Sequence, residues 1–253
     1  MVAGVFAGYL GIGGGIILNP ILFMYFEGRT GAADPVHVAL GTGLMVAVFT
    51  TASSTVGHGI RGRWRPASIP FLTLGVIAAS YFGSWAAANL PGTVLKRMFA
   101  VLLLAGAFRL YRGNRTSGDP EPRDSRVLLI MTGAAAGVVG ALMGIGGGIV
   151  MVPIMISILH YPTQQVAGTS SAVAIAVSLL GALGFVYQGW GTAGLPEEFW
   201  GYVDPETAVF LAIGSIPGAQ LGAYLNRRWG GTTFRILFAV VLVLVALKLI
   251  IFG

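Results

Sequence analysis

Long apolar stretches separated by short polar ones run along the whole chain. No Asp, Glu, Lys or Arg lies between Pro35 and Ile60, between Pro66 and Leu95, or from Val127 to Pro196. About 20 apolar residues are enough for a helix to cross a bilayer, so each stretch holds at least one crossing. These stretches are far longer than the ~10-residue alternating strands of a membrane barrel. The pattern therefore predicts an all-α integral membrane protein.

Eight helical segments are predicted from the glycine, proline and charged residues that interrupt the apolar sequence. They span residues 1–26, 36–57, 67–88, 94–111, 127–159, 163–188, 205–225 and 233–252. Four segments fall in each half of the chain. We therefore predict a first transmembrane repeat at 1–111, a cytoplasmic linker at 112–126 and a second transmembrane repeat at 127–253.

An internal repeat relates the two halves. Gly11–Pro20 reads GIGGGIILNP and returns at Gly144–Pro153 as GIGGGIVMVP, and ALGTGL at 39–44 parallels VAGTSS at 166–171. Further on, small residues recur at every fourth position in both halves: Gly75, Ala79 and Gly83, then Gly214, Gly218 and Gly222. This spacing lets helix backbones approach closely in lipid. The chain is thus expected to contain two homologous units.

Each unit begins with a glycine cluster inside an apolar segment. Glycine is a poor helix former and adopts dihedrals closed to other residues, so we predict that each first segment breaks there. The helix after a break begins with free amides and a partial positive charge, which attract anions. Two such N-termini could converge on one ligand. The alternative is that the glycines only permit tight packing or a tight hairpin.

The charged residues bear on the number of membrane crossings. The linker together with Arg109 holds five Arg against three acids, which is typical of a cytoplasmic loop, and the loop with Arg61, Arg63 and Arg65 is expected on the same side. Eight full crossings would violate the positive-inside rule in the second half, by placing Glu197, Glu198, Asp204 and Glu206 inside and Arg227, Arg228 and Arg235 outside. If each glycine cluster forms a hairpin, three crossings remain per half and the two repeats have inverted topology. The acidic loop then lies outside and the second-half arginines lie inside. We favour the hairpins, although they place Lys96 and Arg97 near an external end, and eight crossings stay the alternative.

Hydroxyl side chains recur early in the second helix of each half, at Gly41-Thr42 and at Gly168–Ser171. Their position about six residues in, or roughly 9 Å along the helix, suits a ligand cavity. Hydroxyls can replace part of an anion's hydration shell, although they also bond their own helix backbone. The predicted substrate-binding residues are Gly13, Gly14, Gly15, Asn19, Thr42, Gly146, Gly147, Gly148, Thr169, Ser170 and Ser171.

Other polar residues in or beside the apolar spans are candidates for coupling or gating. They are His58, Tyr187, Gln188 and Gln220. No carboxylate or basic residue sits clearly at mid-membrane, which disfavours the usual carboxylate proton relay and leaves His58 as the candidate for a coupled proton. The alternative for His58 is a solvated histidine at a helix end beside arginines.

Composition narrows the function classes. Hydrophobic residues make up 55% of the chain and charged residues 9%. The net charge of +6 comes from residues at helix ends and in loops, so it indicates membrane topology rather than nucleic-acid binding. The absence of cysteine excludes disulfides and thiolate metal sites, and the glycine clusters lack the Lys-Ser or Lys-Thr of a phosphate loop. We therefore predict no cofactor, no metal and no nucleic-acid partner, while a homo-oligomer stays open.

The duplicated glycine clusters at Gly11–Pro20 and Gly144–Pro153 and the two Gly-Thr elements give the chain a likeness to one family. Over essentially its whole length it resembles the TauE/SafE family of sulfite and organosulfonate exporters. The resemblance implies transport, mostly outward, of small sulfur-containing anions or related carboxylates such as sulfite, sulfoacetate or sulfolactate. Gly43-Leu44 stands where the second half has Ser170-Ser171, which leaves the symmetry of the site open.

These observations lead to a secondary transporter or facilitator for a small oxyanion in the inner (plasma) membrane. The anion is expected between the two glycine breaks. A passive anion channel or a subunit of a larger membrane complex is the main alternative. An intramembrane enzyme is a remote alternative. A nucleophilic Ser170 or Ser171 would need a base, and no His or Lys in a matching apolar span offers an obvious one.

Overall fold

The computed structural model describes residues 1–11, 13–28, 34–59, 64–112, 122–228, 239–240 and 242–249. Its helices are α1 (Val2–Leu10), α2 (Gly15–Gly28), α3 (Pro35–Gly59), α4 (Ile69–Ala88), α5 (Gly92–Arg112), α6 (Arg126–Leu142), α7 (Gly148–Ser157), α8 (Thr163–Gly189) and α9 (Pro205–Arg228), with a 3-10 turn at Pro66–Ser68. Residues 242–249 are also helical. Within the described ranges every regular element is a helix, which confirms the predicted all-α membrane class.

The predicted segments and the observed helices agree closely except at the two glycine clusters. The first segment, 1–26, is split into α1 and α2, and 127–159 is split into α6 and α7. The predicted breaks are therefore confirmed. Much of the linker and of the last segment lies outside the described residues, as do Arg61, Arg63 and Arg235.

Helices α3 and α8 cross antiparallel at the centre of the molecule. Gly41 of α3 packs against Phe185 of α8, while the hydroxyls of Ser54 and Ser171 are 2.9 Å apart towards the opposite ends. Apolar side chains from both helices fill the interior, including the fully buried Leu44, Ala47, Val173 and Val177. These two helices therefore form the core around which the others are arranged.

The first helix of each half packs against a helix of the other half. Gly4 and Gly8 of α1 contact the backbone of Ser215 and Ala219 in α9, so the two helices run parallel. In the same way α4 runs parallel to α6, with Gly75 against Ile130 and Gly83 against Val138. A Cβ at any of these glycines would overlap the facing backbone, as expected for small residues in a tight membrane interface.

Each first segment reverses direction at its glycine break. Helix α2 runs antiparallel to α3, because Gly14 lies beside Thr50 and Asn19 lies beside Gly43. Helix α3 runs parallel to α9, since the Asp204 amide donates to Thr42 and the Gln220 amide group donates to the Ser53 carbonyl. Because α1 also runs parallel to α9, α1 and α2 are antiparallel. The same reasoning makes α6 and α7 antiparallel.

Helix length separates the candidate crossings from the hairpins. In the part of the chain that the structure describes, four helical stretches are long and apolar enough to span a membrane: Pro35–Gly59, Pro66–Ala88, Gln165–Gly189 and Pro205–Asn226. By contrast, α1 has nine residues and α7 has 10, or about 14 and 15 Å at 1.5 Å per residue. Neither reaches across about 30 Å of hydrocarbon. The inverted-repeat arrangement in the membrane stays a prediction.

Candidate functional site

A left-handed glycine ends α1, and another lies directly before α7. Gly11 follows α1 with φ 68° and ψ 24°, and its amide donates to the Ala7 carbonyl (2.9 Å). Gly147 precedes α7 with φ 78°. Residues with a Cβ reach this conformation only at a cost of about 1–2 kcal/mol, which explains why the sequence places glycine at both corners.

The two breaks, Gly11–Gly14 and Met143–Gly147, are in direct contact. A Cβ on Gly13 would stand 2.6 Å from the Ile145 carbonyl oxygen, and one on Gly15 would overlap the Gly144 carbonyl oxygen. Glycine therefore serves a second purpose here, which is to let the two main chains touch. The predicted convergence of the glycine corners is observed, whereas the predicted binding of a substrate by them stays a prediction.

The breaks leave amides without acceptors. Among the described residues, the amides of Gly13, Gly14 and Gly15 in the first break and of Gly146, Gly147 and Gly148 in the second make no hydrogen bond. All six residues are buried. They lie at the N-termini of α2 and α7, where the helix dipole adds partial positive charge. The two breaks can therefore donate several hydrogen bonds to a ligand.

Asn19 and Ser170 bond the carbonyls of the breaks. The Asn19 side-chain amide, fully buried in α2, donates to Met143 O (3.0 Å) and Gly144 O (2.8 Å) of the second break. The Ser170 hydroxyl of α8 donates to Gly11 O (2.8 Å) of the first break. Both predicted site residues thus contact a break, and both use their donors on its main chain.

Thr42 and Thr169 bond the main chain of the opposite half. Thr42 Oγ1 accepts from the Asp204 amide (3.0 Å), just before α9, and Thr169 Oγ1 accepts from the Arg65 amide (2.9 Å), just before the Pro66–Ser68 turn. Thr169 Oγ1 also donates to Gln165 O (2.7 Å) within its own helix. Its proton is therefore already engaged. The hydroxyls that are duplicated in sequence make duplicated bonds between the halves.

Ser171 and His58 form hydrogen bonds with residues outside the two breaks. Ser171 pairs with Ser54, as noted above. His58 Nε2 donates to Gly8 O of α1 (2.9 Å), and the side chain is fully buried. The alternative of a solvated histidine is therefore wrong, because α1 covers this end of α3. A coupling role for His58 stays a prediction.

Tyr187, Gln188 and Gln220 are not brought to the breaks. Tyr187 is 69% exposed beside Tyr81, and Gln188 follows it in the last turn of α8. That turn lies about 14 Å along the helix from residue 178, the position of α8 that contacts the second break, at 1.5 Å per residue. Gln220 joins α9 to α3 through the Ser53 carbonyl (2.7 Å). A gating role for these three residues stays a prediction.

Ser178 is a residue that the motifs did not indicate. Its hydroxyl is fully buried and makes no hydrogen bond. A Cβ on Gly146 would stand 2.9 Å from Ser178 Oγ, so the hydroxyl points at the second break. Extending the alignment of the halves beyond the Gly-Thr element pairs Ser178 with Thr51, a signal that could have found it. The structure thus adds one free hydroxyl to the six free amides.

Ion pairs lie at the two ends of the helices. At one end Arg65 pairs with Asp124, which also accepts from the Tyr161 hydroxyl (2.6 Å). Burial, followed by the hydrogen bond to Asp124, raises the pKa of Tyr161 to about 12. At the other end Lys96 of α5 pairs with Glu27 of α2. This pair neutralises the lysine that the hairpin arrangement places at an external end.

Comparison with known proteins identifies the class of protein that carries these features. The chain belongs to the sulfite exporter TauE/SafE family, whose sequence model matches residues 1–249. It is 28% identical to a probable membrane transporter protein of Methanocaldococcus jannaschii over 95% of this chain and 89% of that protein. It is 26% identical to a probable membrane transporter protein of Bacillus subtilis over 99% of this chain and 94% of that protein. No solved structure matches the chain.

The family and its relatives define a membrane transporter, not an enzyme. Within the described ranges no group of three or more His, Cys, Asp or Glu residues could hold a metal ion. The polar groups at the described breaks are main-chain groups and uncharged side chains.

Proposed function

We propose that this protein exports a small oxyanion, such as sulfite or a small sulfonate, across the plasma (inner) membrane. The anion binds where the two glycine breaks meet. The observation that carries the proposal is the contact between two helix N-termini whose six buried amides have no acceptor among the described residues. Buried donors without acceptors are costly, so such a cluster favours an anionic ligand.

The free hydroxyl of Ser178 supports the same site from a third helix. Because Ser178 Oγ has no protein partner and points at Gly146, it can donate to an anion held by the second break. Ser170, Asn19, Thr42 and Thr169 have the positioning role in this proposal, since their hydrogen bonds go to the main chain. Substrate affinity then depends on amides and one hydroxyl, without a fixed positive charge.

The helix directions support alternating access by two inverted units. Corresponding helices of the two halves run in opposite directions, since α3 is antiparallel to α8. Two hairpins that meet from opposite sides place their helix N-termini together, as in transporters built from inverted repeats. The neutral donors fit an ion that is bound and released in each cycle, because a fixed cation would hold it more tightly.

The test is sulfite flux in proteoliposomes. We expect saturable movement of radiolabelled sulfite above protein-free vesicles, with competition from small sulfonates. Flux without saturation or exchange would indicate a channel, and flux absent for sulfite, sulfonates and small carboxylates alike would overturn the proposal.

Substitution of Ser178 tests the site itself. We expect Ser178→Ala to raise the KM for sulfite about 10-fold, the effect of losing one hydrogen bond to a charged group. Its thermal stability should not fall, because the hydroxyl has no protein partner. Ser80→Ala is the matched control, since Ser80 is equally buried and equally unpaired but lies against Gly137 of α6. Equal KM values in the two variants would move the anion away from the second break.

A further inference from the structure

We infer that Asn19 is the residue that positions the second glycine break, in place of a serine that the first half lacks. The inference rests on the proposed function only in its effect on transport. Its structural part concerns how each half of the protein holds the break of the other half.

The second half supplies the simpler form of the contact. Ser170 of α8 donates to Gly11 O (2.8 Å), and Gly11 is so close that a Cβ on it would stand 2.7 Å from Ser170 Oγ. Gly11 also packs against the Ala167 backbone one turn earlier in α8. A helix from the second half thus bonds the break of the first half.

The position that matches Ser170 in the first half is Gly43, which has no side chain to donate. The matching break still lies at the matching place, because Gly144 packs against Leu40 of α3 just as Gly11 packs against Ala167 of α8. The carbonyl that corresponds to Gly11 O is Gly144 O. Without another donor it would be a buried carbonyl opposite an empty position.

Asn19 supplies that donor from a different helix. Its Nδ2 atom donates to Gly144 O (2.8 Å) and Met143 O (3.0 Å), and its Oδ1 atom lies so close to Gly43 that a Cβ there would overlap it. Glycine at position 43 therefore makes room for the asparagine. The residue that matches Asn19 in the second half is Val152, which has no donor. The first half therefore has a donor at position 19 and none at position 43. The second half has none at position 152, which matches 19, and a donor at position 170, which matches 43.

Asn19 links the two breaks mechanically. Asn19 lies one turn into α2, the helix that begins at the first break, and its side chain bonds the second break. A movement of α2 is therefore transmitted to Met143 and Gly144 through two hydrogen bonds. Ser170 makes no such link, because α8 starts at neither break. Asn19 is thus expected to affect transport through the position of the second break, without touching the anion.

A four-variant cycle tests this assignment: wild type, Asn19→Val, Gly43→Ser and the double variant, which copies the Val152 and Ser170 arrangement. The first measurement needs no substrate and is hydrogen exchange at the amides of Gly144 and Ile145, which bond Ala141 O and Gly140 O. We expect exchange about 10-fold faster in Asn19→Val, because the Gly144 carbonyl loses its donor. Gly43→Ser should be faster too, because its side chain displaces the amide. The double variant should return to within about threefold of the wild type.

The second measurement is sulfite transport in the same four proteins. We expect the KM to rise in both single variants and to recover in the double variant. Asn19→Asp covers the case in which Asn19→Val does not fold, since it keeps the shape but replaces the donor by an acceptor and should also speed exchange. A double variant no better than the worse single variant, or unchanged exchange in Asn19→Val and Asn19→Asp, would overturn the inference. If the double variant restores slow hydrogen exchange but the wild type shows no sulfite flux, the proposed function is contradicted while the positioning role of Asn19 is supported.

Discussion

The two glycine corners are equivalent in sequence but differ residue by residue in the structure. Gly147 has φ 78°, and a Cβ on it would stand 2.6 Å from Ala136 O. Gly14 has no left-handed φ, and a Cβ on it would stand 3.4 Å from the nearest atom, Leu18 Cδ1. Position 147 therefore requires glycine on two grounds, and position 14 on neither.

We expect Gly147→Ala to lower the melting temperature in detergent far more than Gly14→Ala. The first substitution combines a left-handed alanine, at about 1–2 kcal/mol, with overpacking against Ala136 O, at about 1–3 kcal/mol. The second adds only an ordinary van der Waals contact. Gly28→Ala at the other end of α2 is a control, since nothing lies within 4 Å of its Cβ position. Similar melting temperatures for all three variants would contradict this account.

At single positions the sequence predicted where the helices break, but it did not predict which residues the polar side chains contact. A run of glycines in an apolar segment is enough to predict a break, and the observed breaks lie there. The partners of Asn19 and Thr42 could not be predicted, because they belong to the other half and depend on how the halves pack. Ser178 could not be predicted from the motifs, because it lies beyond the duplicated Gly-Thr element, although its hydroxyl faces the break.

Among the helices, the hydrogen bonds of two threonines link the two halves. Thr42 accepts the amide before α9, and Thr169 accepts the amide before the Pro66–Ser68 turn that leads into α4. Both amides precede a helix, where no intrahelical carbonyl is available to them. Each threonine therefore fixes the start of a long helix that belongs to the other half.

We expect Thr42→Val and Thr169→Val to destabilise the protein by about 1–3 kcal/mol each, the cost of an unsatisfied buried donor. Thr50→Val is the matched control. Thr50 is equally buried, but its hydroxyl bonds only Val46 O of its own helix (2.9 Å), a carbonyl that already has a helical partner. Melting temperatures in detergent compare the three. If Thr50→Val lowers the melting temperature as much as the other two substitutions, the loss of stability comes from replacing a buried threonine and not from losing the hydrogen bond between the halves.

Helix boundaries illustrate where sequence patterns are reliable. The predicted segments 36–57 and 163–188 correspond to Pro35–Gly59 and Thr163–Gly189, because their charge-free length and flanking loops define both ends. It was not predictable that α1 packs against a helix of the second half and α6 against a helix of the first half. Small residues at every fourth position indicate that a helix packs closely, but they do not identify its partner.

In the whole molecule, contacts at the ends of α8 bear on topology. The end of the linker lies beside the start of α8, since Asp124 bonds Tyr161 and the Arg123 amide donates to Leu159 O (2.9 Å). The acidic loop with Glu197 and Glu198 follows the other end of α8. This helix is long and apolar enough to cross a membrane. If α8 crosses, the linker and the acidic loop lie on opposite sides, whereas eight full crossings would put both inside.

Single-cysteine labelling distinguishes these arrangements cleanly, because the chain contains no cysteine of its own. Arg123 and Glu198 are both exposed, so Arg123→Cys and Glu198→Cys report the two loops without disturbing the interior. With a membrane-impermeant maleimide we expect Glu198→Cys to react in intact cells and Arg123→Cys to react only after permeabilisation. The arginine-rich linker should stay inside, since positive charge is retained in the cytoplasm. Protection of both cysteines in intact cells would favour eight crossings, and the reverse pattern would show that the hairpins are correct but the orientation is opposite.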